Sequence, residues 1–154
     1  MNYRPIRVIF LCTGNSARSV MAEALLRNRG KDDFEVYSAG TQPKGLNPFT
    51  AKVLEQANLD ITGFRSQNVS EFFGQKFDYV ITVCDRAAEE CPVFPDDPTR
   101  IHWSFPDPAA VEGNDVVKLA AFQATLREMR QRIDVFYPVA LRYREKSPVM
   151  ETAR

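Results

Sequence analysis

The sequence predicts an α/β fold, a single open sheet of four parallel strands with helices on both faces, and three observations carry that expectation. The strand candidates are continuous apolar runs such as "IRVIFL", the pattern of strands covered on both sides. Helical stretches separate them, so successive strands pair in parallel through right-handed crossovers. The 154 residues hold no repeat, low-complexity tract or linker, and that length suits one domain with a real core.

Each element follows in order. Ile6 to Leu11 is the first strand. "SARSVMAEALLRNRG" is rich in helix formers and ends at Gly30, read as a C-cap. "FEVYSAG" from Phe34 is a second strand closed by Gly40, and Asn47 before Pro48 caps a helix running to about Leu59. "FDYVITV" from Phe77 is a third buried strand, and "RIHWSF" from Arg100 a weaker fourth. Beyond Asn114, Phe122, Leu126, Met129, Ile133 and Phe136 recur at helical spacing, and Pro138 is expected to end or kink that helix. Residues 1–138 therefore read as one α/β domain, and 139–154 as a helical extension and a frayed tail, since "EKSPVMETAR" has no periodicity. Ligands of open α/β sheets bind beyond the carboxyl ends of the strands, which puts Cys12, Cys84 and Asp107 on one rim.

Composition narrows the function. Twenty basic residues balance twenty acidic ones and are dispersed, so nucleic acid is not an expected partner. No stretch approaches the roughly 20 apolar residues of a membrane helix, and the start "MNYRPIRVIF" has no secretory signature, so a cytoplasmic protein is expected. Three cysteines cannot all pair, which suits a reducing compartment and thiols employed in chemistry.

The junction "LCTGNSARSV" carries the strongest signal. A short loop from a strand into a helix turns backbone N–H groups inward, and the helix start adds partial positive charge, so Thr13, Gly14, Asn15, Ser16, Ala17, Arg18 and Ser19 form a candidate oxyanion loop. Arg18 brings a rigid fork of donors, and Gly14 lets the backbone curl closely around a tetrahedral anion. The same field favours Cys12 as a nucleophile. The loop lacks the Gly-Lys-Ser/Thr ending of nucleotide-binding phosphate loops. A lone cysteine in such a turn is usually an ordinary buried residue. Here Cys-x5-Arg falls where an anion site is expected.

"CTGNSARS" resembles the catalytic loop of the low-molecular-weight tyrosine phosphatases, and more closely that of the arsenate reductases built on the same fold. The resemblance covers Ile6 to about Ile133. Two further stretches bear on the choice. In "VITVCDRAAEECP" Cys91 follows Cys84 by seven positions, about two helical turns, so a helix would hold their α-carbons roughly 10 Å apart. A disulfide tolerates only about 4.4 to 6.8 Å, so a bond between them requires unwinding, and the prolines at 92, 95 and 98 make that segment easy to melt. Two buried cysteines at helical spacing would otherwise pass for core. The thioredoxin-coupled arsenate reductases resemble this sequence in all three cysteine positions and in the proline after the third. In "SFPDPAAVEG", Asp107 occupies a loop from which a carboxylic acid reaches the pocket. Asp-Pro alone is a common turn, but in both families the matching Asp is the general acid. The phosphatases typically carry an aromatic residue after it, whereas Ala109 and Ala110 follow here, which favours a small inorganic anion over an aryl phosphate.

The resemblance implies a thiol relay. Cys12 attacks arsenate, Asp107 protonates the departing hydroxyl, Cys84 attacks Cys12 and expels arsenite, and Cys91 attacks Cys84 to leave a Cys84–Cys91 disulfide for thioredoxin. Ser19 is expected to donate to the Cys12 thiolate unless it is only a helix cap, and Asn15 to fix the loop through a left-handed backbone. In some of these reductases an Asn, a Glu, a Ser and an Asp hold a potassium ion. Asn15, Glu23 and Ser38 match three of them, and Gln67 stands at the fourth position. His102, inside the fourth strand, reads as structural, and no Cys/His cluster has zinc-ligand spacing. The expectation is thus a monomeric arsenate reductase for arsenic detoxification, taking arsenate and related tetrahedral oxyanions, with no tightly bound cofactor and thioredoxin as reductant. A tyrosine phosphatase, which leaves two cysteines idle, and a non-catalytic anion-binding module are the alternatives.

Overall fold

A computed structural model describes residues 3–146. Its strands β1 (Ile6–Cys12), β2 (Phe34–Gly40), β3 (Tyr79–Thr82) and β4 (Thr99–His102) form one parallel sheet in the order β2-β1-β3-β4. Between and after them run α1 (Arg18–Gly30), α2 (Pro48–Gln56), α3 (Asp85–Glu89) and α4 (Asp115–Lys146). Val8, Ile9, Phe10 and Leu11 of β1 are all buried. Successive strand residues face opposite ways, so both faces of this central strand are covered, as its unbroken apolar run requires. Phe122, Leu126, Met129, Ile133 and Phe136 are buried along one stripe of α4, and the Trp103 ring lies between those of Phe10 and Phe136, with centroids 6.0 and 5.9 Å away.

β3 and β4 are shorter than the runs expected from Phe77 and from Arg100, and three helix ends also differ from the sequence expectation. α4 does not end at Pro138 but continues to Lys146. A proline inside a helix forfeits one hydrogen bond and crowds the carbonyl four residues back. Buried contacts on both sides offset that cost: Tyr137 packs on the Phe34 ring, Ala140 is buried, and Arg144 pairs with Asp33 at 3.2 Å. The expected frayed tail, from residue 147 on, lies outside the described residues. Gly30 is the last residue of α1, and Lys31 beyond it takes the positive φ of +46°. Gly30 is required for space, because a Cβ there would come within 2.4 Å of the Phe34 ring. α2 stops at Gln56, short of Leu59, because Asn58 adopts φ +58°.

At the opposite end of the sheet from the cysteines, Asp78 ties the start of β1 to β3. It accepts two hydrogen bonds from the Arg4 guanidinium and one from the Arg7 amide, all at 2.8 Å. Burial pushes this carboxyl up, but the Arg4 and Arg7 hydrogen bonds outweigh it and hold it below the ordinary carboxylate range. A depressed pKa gives stability that is present above the unfolded value of about 3.9 and is lost as pH falls through the folded one. Asp78→Asn is therefore expected to lower unfolding free energy at pH 7 by about 2 kcal/mol. It should also flatten the acid limb of stability against pH in urea titrations. An unchanged acid limb would rule out this role.

Candidate active site

The loop after β1 owes its shape to hydrogen bonds on its outer side. The carbonyls of Cys12, Thr13, Gly14 and Ser16 accept from the amides of Thr41, Gln42, Lys44 and Asn47 at 2.9 to 3.3 Å. The Asn15 carbonyl accepts from the Ser66 hydroxyl at 2.6 Å. In a planar trans peptide the N–H points opposite to the C=O. Anchoring five successive carbonyls outward thus aims the amides of residues 13 to 17 inward, and the Asn15 amide indeed donates to Cys12 Sγ at 3.3 Å. α1 starts at Arg18 after the N-cap Ala17, and no capping side chain takes up its first amides. Asn15 is the residue that bends the loop, at φ +47°, as its type suggested. Lys44 lies over Gly14: a Cβ there would come 2.8 Å from Lys44 Cε, the flexible end of a side chain that would have to shift.

Cys12 is buried, and its sulfur lies 2.8 Å from Ser19 Oγ. Ser19 Oγ accepts from Asn15 Nδ2 at 2.8 Å, which leaves the hydroxyl proton for Cys12. Ser19 is therefore a donor to the sulfur and not a helix cap. The cavity in front of Cys12 is lined by Thr13, Gly14, Ser16, Ala17, Arg18 and Asp107, together with Gln42, Lys44, Arg86 and Ala109. Arg18 Nη1 donates to the Phe105 carbonyl at 2.8 Å, which anchors the guanidinium. Its Nη2 lies 3.7 Å from Asp107 Oδ2. The other Asp107 oxygen, Oδ1, accepts from the Ala109 amide at 2.9 Å, which leaves Oδ2 as the oxygen beside Arg18.

The two remaining cysteines bracket α3. Cys84, buried at the end of β3, has its sulfur 3.4 Å from Thr13 Oγ1. Cys91 is partly exposed beyond α3, and all three thiols are free. Arg100 and His102 of β4, with Ser104 just after it, hold the intervening segment at its ends. His102 Nε2 and Ser104 Oγ donate to Asp85 at 2.8 and 3.2 Å, which keeps that carboxyl below its ordinary range. His102 Nδ1 pairs with Thr82 Oγ1 at 2.7 Å, so both ring nitrogens serve structure, as the sequence suggested. Arg100 donates to Cys91 Sγ at 2.8 Å and to the Pro92 carbonyl at 2.9 Å.

Gln42, Lys44, Arg86 and Arg100 escaped the sequence reading. Lys44 and Gln42 reach the cavity only because their loop pairs with the Cys12 loop, and Arg100 finds Cys91 across strands. Arg86 alone carried a local signal, being two residues from Cys84.

The residues matched to a potassium site are hydrogen-bonded to one another and to Arg27. Glu23 spends one carboxylate oxygen on the Ser38 hydroxyl and the other on the Arg27 guanidinium. Asn15 turns its amide nitrogen to Ser38 and gives its oxygen to the Gln67 backbone amide, and Gln67 points a donor at the Ser38 carbonyl. Burial pushes the Glu23 carboxyl above its usual range, against the Ser38 hydrogen bond and nearby Arg27. Among the described residues no three His, Cys, Asp or Glu side chains cluster to hold a metal, and no helix is long and apolar enough to cross a membrane.

Known proteins share this architecture. The family model described as low molecular weight phosphotyrosine protein phosphatase matches residues 7–137. An arsenate reductase of Halalkalibacterium halodurans is 41% identical over 129 residues, 84% of this chain and 93% of the relative. One of Bacillus licheniformis is 42% identical over the same shares. The crystal structure of an arsenate reductase from Archaeoglobus fulgidus superposes with a TM-score of 0.70 at 27% identity, covering 85% of this chain and 98% of the other.

Proposed function

Because the chain belongs to the low molecular weight phosphotyrosine protein phosphatase family, we propose that it uses that family's anion pocket as an arsenate reductase, through a Cys12, Cys84, Cys91 relay recharged by thioredoxin. The observation that carries this reading is the pair of extra thiols. Cys84 adjoins Thr13 of the loop that holds Cys12, and Cys91 waits across a five-residue helix. A phosphatase needs only the first cysteine. The relatives at about 40% identity named arsenate reductase support the same choice.

The inward amides and Arg18 hold the arsenate oxygens, and the Cys12 sulfur attacks arsenic. Asp107 protonates the departing hydroxyl, which leaves as water, and an S–As bond remains. Cys84 attacks Cys12 Sγ. The S–As electron pair stays on arsenic, reducing it by two electrons, and arsenite departs from a Cys12–Cys84 disulfide. Cys91 attacks Cys84, releasing Cys12 as thiolate, and a thioredoxin dithiol reduces the Cys84–Cys91 bond. Residues 85–91 must unwind for that last pairing. Opening a five-residue helix draws on only a fraction of the global stability.

The test is arsenate-dependent NADPH oxidation by the purified protein with thioredoxin and thioredoxin reductase. Sustained turnover is expected, with loss in Cys84→Ser. Absence of turnover, with aryl phosphate hydrolysis that Cys84→Ser retains, would replace this reading with a phosphatase.

A further inference from the structure

Three cationic side chains line the cavity at Cys12, and the mechanism above uses one of them. Arg18 belongs to the loop and Lys44 lies over Gly14, while Arg86 comes from α3. Arg86 is two residues beyond Cys84 and so sits in the segment that the relay unwinds. Among the described residues its one ion pair is with Glu90, the C-cap of α3, at 3.3 Å, and its side chain is 60% exposed. Such i,i+4 pairs hold weakly, which leaves the guanidinium available to a stronger anion. The start of α3 is fixed beside the cavity by the grip of His102 and Ser104 on Asp85.

We propose that Arg86 is an anion-binding residue of this site, delivered by α3, so that occupancy of the oxyanion pocket and folding of residues 85–91 are coupled. The proposal rests on the relay reading for its purpose, not for its test. Arsenate enters as a dianion and arsenite leaves as a neutral acid near pH 7. While the pocket holds the dianion, Arg86 is drawn to it, α3 stays helical, and Arg100 keeps Cys91 away from Cys84. Reduction removes the charge and with it the attraction. The segment is then free to unwind and bring Cys91 to the Cys12–Cys84 disulfide. The coupling thus orders the two exchanges and suppresses an idle Cys84–Cys91 bond before arsenate has reacted.

Coupling is reciprocal, so one factor governs both directions. The anion binds the folded segment more tightly than the unwound one by the amount that Arg86 adds, and it stabilises the folded segment by that same amount. For a cation this exposed, the factor is about two- to fivefold.

The experiment compares wild type with Arg86→Gln, using sulfate as a non-reducible probe and chloride at equal ionic strength as control. Calorimetry reads the sulfate dissociation constant, and amide hydrogen exchange reads opening of residues 85–91. Arg86→Gln is expected to weaken sulfate binding and to diminish sulfate protection of 85–91, both by about two- to fivefold. Glu90→Gln, which removes the same helix pair, should keep both effects, and Arg86→Lys should recover part of each. An unchanged dissociation constant in Arg86→Gln would overturn the proposal, as would equal sulfate protection of 85–91 in the two proteins. No thiol chemistry enters these readouts, whereas the relay fails separately if Cys84→Ser still turns over arsenate.

Discussion

Cys12→Ser is expected to lose arsenate reduction by roughly 10⁴-fold or more, the scale on which removal of a covalent nucleophile acts in other enzymes. Its fold and its affinity for sulfate should be retained. The substitution changes one atom in a pocket whose other contacts do not depend on sulfur. A serine oxygen still accepts from the Asn15 amide and can exchange a hydrogen bond with Ser19. The loop carbonyls remain anchored to residues 41–47 and Ser66, so the inward amides that hold the anion stay in place. What disappears is the nucleophile, because a hydroxyl without an adjacent general base attacks poorly where a thiolate attacks readily. Stability should shift by no more than about 1–2 kcal/mol. Steady-state NADPH oxidation and sulfate calorimetry on the same preparation separate the two properties. Activity within tenfold of wild type would mean that another group attacks arsenic. Lost sulfate binding would mean that the sulfur shapes the pocket.

How much of this site the sequence disclosed depends on how local each signal is. The β1 strand, the loop and α1 lie within 25 consecutive residues, so the apolar run, the Cys-x5-Arg spacing and the left-handed Asn15 could be read directly. Asp107 and Cys84 were legible for a related reason, since each lies past a strand and parallel sheets put such positions on one rim. The carbonyl anchoring was not legible, because residues 41–47 reach the loop only when β2 pairs with β1. Arg100 needs the β3–β4 register to meet Cys91, and no periodicity announces that contact. Pro138 shows the converse failure. The local rule against proline was sound, but burial of its neighbours along α4 overrode it. The potassium expectation rested on three matching residue types, and in the structure these side chains are hydrogen-bonded to one another, with Arg27 on Glu23.

Cys91→Ser should separate the relay into its halves. With thioredoxin present, the variant is expected to release one arsenite per chain and then slow by about 10³-fold. That ratio compares the millimolar effective concentration of a tethered thiol with micromolar external thioredoxin. The first exchange involves Cys84, whose sulfur already lies against Thr13 of the loop that presents Cys12, and it needs no help from Cys91. The resulting Cys12–Cys84 disulfide connects two positions that are both buried in the reduced protein, so an external dithiol has poor access to it. Cys91 is the partly exposed thiol, next to a largely exposed Val93, and moving the disulfide onto it brings the bond to the surface. Peptide mapping without reductant should therefore find Cys12 joined to Cys84 in Cys91→Ser after arsenate. In Cys84→Ser no arsenite should be released, because no thiol reaches Cys12 to break the S–As bond. Full turnover by Cys91→Ser would show that thioredoxin reduces the inner disulfide directly, and α3 would then have no reason to unwind.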